Sequence, residues 1–233
     1  MVLRIPYVDL AKQHQALRSE VLDAVGSVLD TGQFILGEET ERFEREFAVL
    51  CQAKYAVGVN SGTDALILAL KILGIKPGDE VITAPNSYLA SASCIALAGA
   101  TPRFADVRDD LNLDPEAVTR AITPRTRAII PVHLTGKPAR MTELLAVAKR
   151  HHLEVIEDAA QAVGAKLDGR SVGAIGRVGC FSLHPLKNLN ACGDGGLLVT
   201  DEESLAQRAR LLLLRGGGEG GEPGCDRHRE RCG

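Results

Sequence analysis

The spacing of apolar positions changes along the chain and divides it into short and long segments. Apolar residues three or four positions apart predict helices at 10–29 and 38–50. From residue 55 onward, short runs rich in β-branched residues alternate with longer stretches of helical spacing. The short runs predict strands at 55–59, 80–84, 101–105, 126–132, 153–157, 178–182 and 196–200. The longer stretches predict helices at 63–73, 88–98, 115–121, 141–151 and 202–214.

This alternation of strands and helices is typical of sheets whose two faces are both covered by helices. We therefore predict an α/β fold with a mostly parallel seven-stranded sheet and helices on both faces. In such sheets, ligands bind beyond the carboxyl ends of the strands, in the loops that follow them. The residues that carry chemistry are therefore expected in those loops.

Composition and charge exclude several classes of partner. Hydrophobic residues make up 45% of the chain and charged residues 24%, as in an ordinary globular protein. The formal net charge of −3 provides no basic surface for nucleic acid. The sequence has no apolar run long enough to cross a membrane, and its start lacks a signal peptide's apolar segment. The six cysteines lack the paired spacing of a metal site. We expect a cytoplasmic protein with no nucleic-acid, membrane or metal partner.

The end of the chain differs abruptly from the rest. Residues 216–233 include seven glycines and no aliphatic or aromatic residue, so they cannot bury apolar area. We predict a structured domain at 1–215 followed by a disordered glycine-rich tail. A natural flexible tail explains this change, and so does a shifted reading frame or a truncated chain.

A small-residue turn follows the first predicted strand. Residues 60–66 read Asn-Ser-Gly-Thr-Asp-Ala-Leu and open a helix, with Gly62 and Thr63 in its first turn. Free backbone N–H groups and the positive end of the helix dipole suit such a turn to a phosphate group. On its own the pattern fits equally a helix cap that binds nothing.

A pair of carboxylates ends the predicted strand 153–157. Glu157 and Asp158 are followed by Ala-Ala-Gln161, which places Asp158 at the carboxyl end of the strand. A buried carboxylate needs a partner, because an unpaired buried charge is costly. The protonated nitrogen of a pyridine ring would be such a partner. The alternative is a carboxylate that caps a turn.

A lysine lies in the loop after the predicted strand 178–182. The segment runs from Ser182 through Leu-His-Pro-Leu to Lys187 and on to a Gly-Asp-Gly-Gly run that precedes the last strand. Lysine usually occupies a solvated surface, but here it lies among mainly apolar and small residues. Desolvation favours the neutral amine, which can form a Schiff base and later carry a proton. His184, close to Lys187 in sequence, is assigned no role. His133 follows another predicted strand and could point into the site, although a structural role is favoured.

The ordered set of these motifs resembles the DegT/DnrJ/EryC1/StrS family of sugar aminotransferases. The resemblance extends over residues 5–215 and rests on the segments 60–66, 157–161 and 181–188. It implies the aspartate aminotransferase fold (PLP-transferase fold type I) and the cofactor pyridoxal 5′-phosphate (PLP). It also implies that Lys187 forms a Schiff base with the cofactor and that Asp158 meets its pyridine nitrogen, so that these two are the catalytic residues.

The resemblance implies further contacts with the cofactor. Phosphate contacts are expected from Gly62, Thr63 and Ser182, a contact near the ring 3-hydroxyl from Gln161, and ring stacking from Tyr88. A flat aromatic face at Tyr88 suits a flat cofactor. The alternative for Tyr88 is a core aromatic residue that opens its helix.

The function implied by the resemblance is transfer of an amino group from glutamate, or a similar donor, to a keto sugar of a nucleotide sugar. Family members form homodimers and continue into a small C-terminal domain, which we expect to be missing here. Three alternatives stay open: a non-catalytic fragment of such an enzyme, a PLP-dependent sugar dehydratase, and a regulatory relative. Related dehydratases carry histidine at the lysine position, so Lys187 favours transfer.

Overall fold

A computed structural model of the 233-residue chain describes residues 5–214. The glycine-rich segment 216–233, for which we predicted disorder, lies outside the described residues. The helices are α1 Leu10–Gln15, α2 Arg18–Thr31, α3 Glu38–Leu50, α4 Gly62–Ile72, α5 Ala90–Leu97, α6 Pro115–Ala121, α7 Met141–His151 and α8 Glu203–Leu214. The strands are β1 Tyr55–Val59, β2 Glu80–Thr83, β3 Thr101–Phe104, β4 Thr126–Ile130, β5 Glu154–Asp158, β6 Lys166–Leu167, β7 Arg170–Ser171, β8 Val178–Ser182 and β9 Gly196–Thr200.

Seven of the strands form one sheet, in the order β1-β9-β8-β5-β4-β2-β3. The four pairings from β8 to β3 are parallel, whereas β9 pairs antiparallel with both β1 and β8. Because two antiparallel pairings separate them, β1 and β8 run in the same direction. The predicted α/β fold with a mostly parallel seven-stranded sheet is confirmed, with β9 as its reversed strand.

Neighbouring residues of the central strands point into different cores, because side chains alternate across a sheet. Val81, Ile130 and Ile156 join the core beneath α4, α5 and α8. Their chain neighbours Ile82, Ile129 and Val155 join the core beneath α6 and α7. A third cluster packs α3 against the β8–β9 end of the sheet. Helices therefore cover both faces, which leaves the strand ends as the place where polar groups meet.

Several predicted boundaries were wrong. The helix predicted at 10–29 is split into α1 and α2, where the N–H of Leu17 bonds to the carbonyl of His14 and tightens the turn between them. The helix predicted from residue 88 begins at Ala90, and the strand predicted to residue 132 ends at Ile130. The β6–β7 hairpin was missed because its strands have two residues each, too few for a periodic pattern. Within residues 5–214, no helix has the length and apolar character needed to cross a bilayer.

Replacement of Gly179 by alanine is expected to destabilise the fold. Gly179 lies on β8, where an added Cβ would overlap the backbone of Gly173, which cannot rotate away. We expect the free energy of unfolding, measured by urea denaturation, to fall by about 3 kcal/mol. The matched control is Gly58→Ala on β1, where the added Cβ would lie 3.4 Å from a Glu44 side-chain oxygen, an ordinary contact. Equal losses in the two variants would contradict this explanation.

Candidate functional site

The predicted site residues meet at one edge of the sheet. Because β1, β5 and β8 are parallel to one another, their carboxyl ends lie at the same edge, together with the amino end of the reversed strand β9. A cavity of about 460 Å³ opens there. All the residues singled out from the sequence line it: Gly62, Thr63, Tyr88, Asp158, Gln161, Ser182 and Lys187.

The turn after β1 presents unused backbone donors to this cavity. Ser61 caps α4, since its Oγ accepts the N–H of Asp64 at 3.1 Å and its carbonyl accepts the N–H of Ala65. The N–H groups of Gly62 and Thr63, at the start of the helix, have no acceptor in the described contacts. Two open N–H groups at a helix N-terminus form a site for an anion.

Glycine allows the turn to lie against the neighbouring strands. A Cβ added at Gly62 would lie 2.8 Å from the Cβ of Ser182, the last residue of β8. A Cβ added at Gly196, the first residue of β9, would overlap the backbone of Ser61. The missing side chains therefore allow Ser182 to lie directly beside the turn that carries the open N–H groups, in a cradle made of small groups.

Asp158 presents a buried carboxylate to the cavity. Asp158 is the last residue of β5 and is 5% exposed. Ser91 Oγ donates to one carboxylate oxygen at 2.7 Å, and the N–H of Ala160 donates to the other at 3.2 Å. Burial raises the pKa of the Asp158 carboxyl above its ordinary value, while these hydrogen bonds and the charge of Lys187 act in the opposite direction. A cation in the cavity would stabilise the ionised carboxylate further.

The adjacent carboxylate, Glu157, points to the opposite face of the sheet and is fully buried. It accepts hydrogen bonds from His133 Nε2 at 2.8 Å and from the N–H groups of Gly173 and Ile175 at 2.8 and 2.7 Å. The Nδ1 atom of His133 accepts the N–H of Ala139, so the proton of the ring lies on Nε2. This pair ties the ends of β4 and β5 to the loop before β8 and does not line the cavity.

The Gln161 side chain is oriented by a backbone group. Its Oε1 accepts the N–H of Thr135 at 2.8 Å, and Thr135 has a positive φ of 52° in the turn after β4. The bond fixes which end of the amide is the oxygen. The NH₂ end has no acceptor in the described contacts, so it is a donor available to a ligand.

The sequence predicted that a helix begins at Tyr88. In the structure, Tyr88 lies in the turn before α5 instead. Its side chain is 73% exposed while it lines the cavity, so it is not a core aromatic residue. The ring therefore offers a free aromatic face at the mouth of the cavity.

Lys187 lies on a closed loop of residues 183–191, here called the lysine loop. The N–H of Ala191 bonds to the carbonyl of Leu183 at 2.8 Å and closes it, and the N–H of Lys187 bonds to the carbonyl of His184 within it. Lys187 is half-buried, and none of the ion pairs within residues 5–214 involves it. The amine is therefore free to react with a ligand.

Sequence reasoning missed other residues that line the cavity, including Ser61, Ser87, His184, Leu186 and Asp194. Ser61 and Asp194 belong to motifs that were examined, but helix caps and glycine-rich loops are too common to single them out. Ser87 adjoins Tyr88, and its hydroxyl lies 2.9 Å from that of Ser91. Within residues 5–214, no cluster of histidine, cysteine and carboxylate side chains could hold a metal ion.

Asp158→Asn is expected to stabilise the chain in the absence of any ligand at pH 7. Since the folded-state pKa of Asp158 is raised above its ordinary value of 3.8, the folded chain binds this proton more tightly than the unfolded chain. Ionisation therefore lowers stability as the pH rises above about 4 and through the folded-state pKa.

Urea denaturation between pH 4 and 8 tests this expectation, and the variant should lose less stability than the wild type as the pH rises. The amide can donate to Ser91 Oγ while accepting from Ala160, so both hydrogen bonds are kept. Asp168→Asn, at an exposed turn, is the matched control. If Asp158→Asn loses as much stability as the wild type when the pH rises, another group causes the loss.

Known proteins with similar sequence and structure were compared with the chain. It is 51% identical over 210 residues to the dTDP-3-amino-3,4,6-trideoxy-α-D-glucose transaminase of Streptomyces venezuelae, a match that covers 90% of this chain and 55% of that protein. It is 43% identical over 215 residues to a pleiotropic regulatory protein of Geobacillus stearothermophilus, covering 92% of this chain and 58% of that one.

The solved structure of S. venezuelae DesV in complex with a ketimine intermediate has a TM-score of 0.89 and 49% identity, covering 94% of this chain and 59% of that chain. The chain thus spans little more than half the length of the relatives it matches. The model of the DegT/DnrJ/EryC1/StrS aminotransferase family matches residues 15–226, most of the sequence. The chain belongs to the DegT/DnrJ/EryC1/StrS aminotransferase family.

Proposed function

We propose that the chain forms the cofactor-binding part of a PLP-dependent aminotransferase. The reaction is transfer of an amino group from glutamate, or a similar donor, to a keto sugar of a nucleotide sugar. The observation that carries the proposal is the meeting of an anion-binding turn, a buried carboxylate and an unpaired lysine in one cavity. These features come from three distant parts of the chain, and family membership supports the same chemistry.

The residues of the cavity fit PLP, which has an anionic phosphate, a flat ring, a basic ring nitrogen and an aldehyde. Phosphate would bind the N–H groups of Gly62 and Thr63 and the Ser182 hydroxyl, which the small turn brings together. The Tyr88 face would stack on the ring, and the Gln161 NH₂ would donate to the ring's 3-oxygen. The two backbone N–H groups and the Gln161 NH₂ have no acceptor in the described contacts, and Tyr88 is exposed. The Ser182 Oγ accepts the N–H of His184, which leaves its own proton to donate.

Asp158 would hold the protonated ring nitrogen. Because the carboxylate is desolvated, a cation beside it lowers its pKa and is bound strongly. The Ser91 and Ala160 hydrogen bonds fix the carboxylate before any ligand arrives. This arrangement favours the charged ring over the neutral one.

Lys187 would supply both the covalent anchor and the base. When bound, PLP supplies an electron-withdrawing ring that stabilises negative charge on the α-carbon of the amino donor. The Lys187 Nζ atom would accept the proton that leaves that carbon, because it is the unpaired amine of the cavity. Half-burial of the lysine limits the access of water to the amine.

The assignment of domains, assembly and location forms part of the same proposal. Residues 1–215 form the PLP-binding large domain, and the chain pairs as a homodimer in the cytoplasm. The four described cysteines, Cys51, Cys94, Cys180 and Cys192, are free thiols, as expected in a reducing compartment. The substrates are small molecules, an amino-acid donor and a nucleotide-linked keto sugar.

A cofactor-binding protein without turnover is the second candidate. A relative that is 43% identical is named a pleiotropic regulatory protein, and the chain spans 58% of it. A purely regulatory role requires neither a lysine nor a buried carboxylate in the cavity, so their presence favours catalysis. Lys187, rather than histidine, also favours transfer over dehydration.

Lys187→Ala is expected to abolish the visible absorbance that PLP acquires when it binds covalently to the wild-type chain, together with any transamination. Among residues 5–214, the substitution removes the one side-chain amine that lines the cavity. Lys166→Ala, on the exposed β6–β7 hairpin, is the matched control and should behave as the wild type. If PLP gains the same visible absorbance with Lys187→Ala as with the wild type, the assignment of Lys187 is refuted.

Addition of glutamate to the PLP-loaded wild type separates the two candidates. Loss of the visible absorbance on glutamate addition supports an aminotransferase. Stable absorbance supports a chain that binds the cofactor and does not turn over.

A further inference from the structure

The N-terminal helices α1 and α2 are attached to the rest of the fold through a hydrogen bond to the lysine loop. Neither α1 nor α2 buries any residue, so apolar packing contributes little to their position. Among the hydrogen bonds described for residues 5–36, one reaches a distant part of the chain: the His14 ring and the Asn190 side chain, 3.2 Å apart. Asn190 belongs to the lysine loop, so the attachment is made at the candidate site.

The Asn190 amide has a fixed orientation. Its Nδ2 donates to the carbonyl of Lys187 at 3.1 Å, and a carbonyl can only accept. The oxygen end of the amide must therefore face His14, as the Oδ1 contact indicates. Asn190 thus links the His14 ring directly to the backbone of the lysine residue.

The His14 ring faces two acceptors. Its Nδ1 lies 2.8 Å from the carbonyl of Leu10, and its Nε2 lies 3.2 Å from Asn190 Oδ1. A neutral imidazole carries one N–H and can donate to only one of them, whereas the imidazolium ion donates to both. The complete contact therefore requires the doubly protonated ring.

The charged groups around His14 do not compete for it. On α1 itself, the Asp9 carboxylate accepts the N–H of Lys12 at 3.0 Å, and no ion pair within residues 5–214 involves His14. On the facing loop, the charged residue is Lys187, and the described contact uses its carbonyl rather than its amine. The loop is held elsewhere by Asn188, whose Nδ2 donates to the carbonyl of Val163 at 2.8 Å.

We propose that His14, acting through Asn190, is a positioning residue that holds the lysine loop, so that helix α1 forms part of the site. The inference rests on the proposed function for the role of Lys187, and the link itself stands on geometry. Without the link, the loop opens more often, and the Lys187 amine moves away from its position near Asp158.

Cleavage by a lysine-specific protease tests the link in the full 233-residue chain without cofactor. Cleavage after Lys187 requires the loop to open, and its rate follows the population of the open loop. Cleavage after Lys54 is the internal reference within each digest, because this exposed residue precedes β1 and lies at the opposite edge of the sheet from the lysine loop. We expect His14→Ala to raise the Lys187-to-Lys54 ratio about 3- to 10-fold, the effect of losing one hydrogen bond. Asn190→Ala should raise it at least as much, because it also removes the bond to the Lys187 carbonyl.

Two matched variants separate positioning from general loosening. Gln13→Ala, an exposed neighbour on α1, should leave the ratio unchanged. His14→Gln retains a donor for Asn190 and should restore the wild-type ratio at pH 7. The double variant His14→Ala/Asn190→Ala should be no more sensitive than Asn190→Ala alone, because Asn190→Ala already breaks the link to His14. Wild-type ratios in both single variants, or additive effects in the double variant, would overturn the proposal.

The dissociation constant for PLP, measured by absorbance, should rise about 3- to 10-fold in His14→Ala. If the wild type does not bind PLP at all, the proposed function fails. The cleavage ratios would still test whether His14 and Asn190 hold the lysine loop.

Discussion

The burial of the Asp158 carboxylate is the constraint on which the candidate site depends. The side chain ends the central strand β5, is almost fully covered and receives one hydroxyl and one backbone donor. Two donors leave a desolvated anion incompletely satisfied, and burial raises its pKa. The folded chain therefore maintains an electrostatic cost that a cationic ligand would offset. Stability without ligand and affinity for a cation are opposed at this one residue.

The adjacent Glu157 has the opposite character, although it has the same chemical group. Side chains alternate along a strand, so a shift of one residue moves the carboxylate from the cavity to the other face of the sheet. There, His133 and the backbone of the loop before β8 satisfy it with internal donors. One carboxylate of the pair is used entirely within the fold, and the other is left open to a ligand.

Much of the architecture could be predicted from periodicity, because the central strands are short apolar runs between amphipathic helices. The site residues could be placed at one edge because the carboxyl ends of parallel strands meet there. Tyr88 shows the limit of this reasoning: its turn has the composition of a helix start, yet α5 begins two residues later, at Ala90. Ser91 could not be identified, since a serine inside a helix gives no signal of the carboxylate that it contacts across 67 positions of sequence. The His14–Asn190 contact spans 176 positions and was equally invisible.

The reversed strand β9 has a consequence for the order in which the molecule assembles. Because β8 and β9 are antiparallel neighbours along the chain, the segment that carries Lys187 joins them directly, without a crossover helix. Closing this connection has a lower entropic cost than closing the longer one between the parallel strands β4 and β5, which contains the whole helix α7. Local contacts of this kind form quickly, and distant ones slowly. The reactive amine therefore belongs to a hairpin that can form early in folding, and the carboxylate that faces it arrives with the slower parallel pairing of β5.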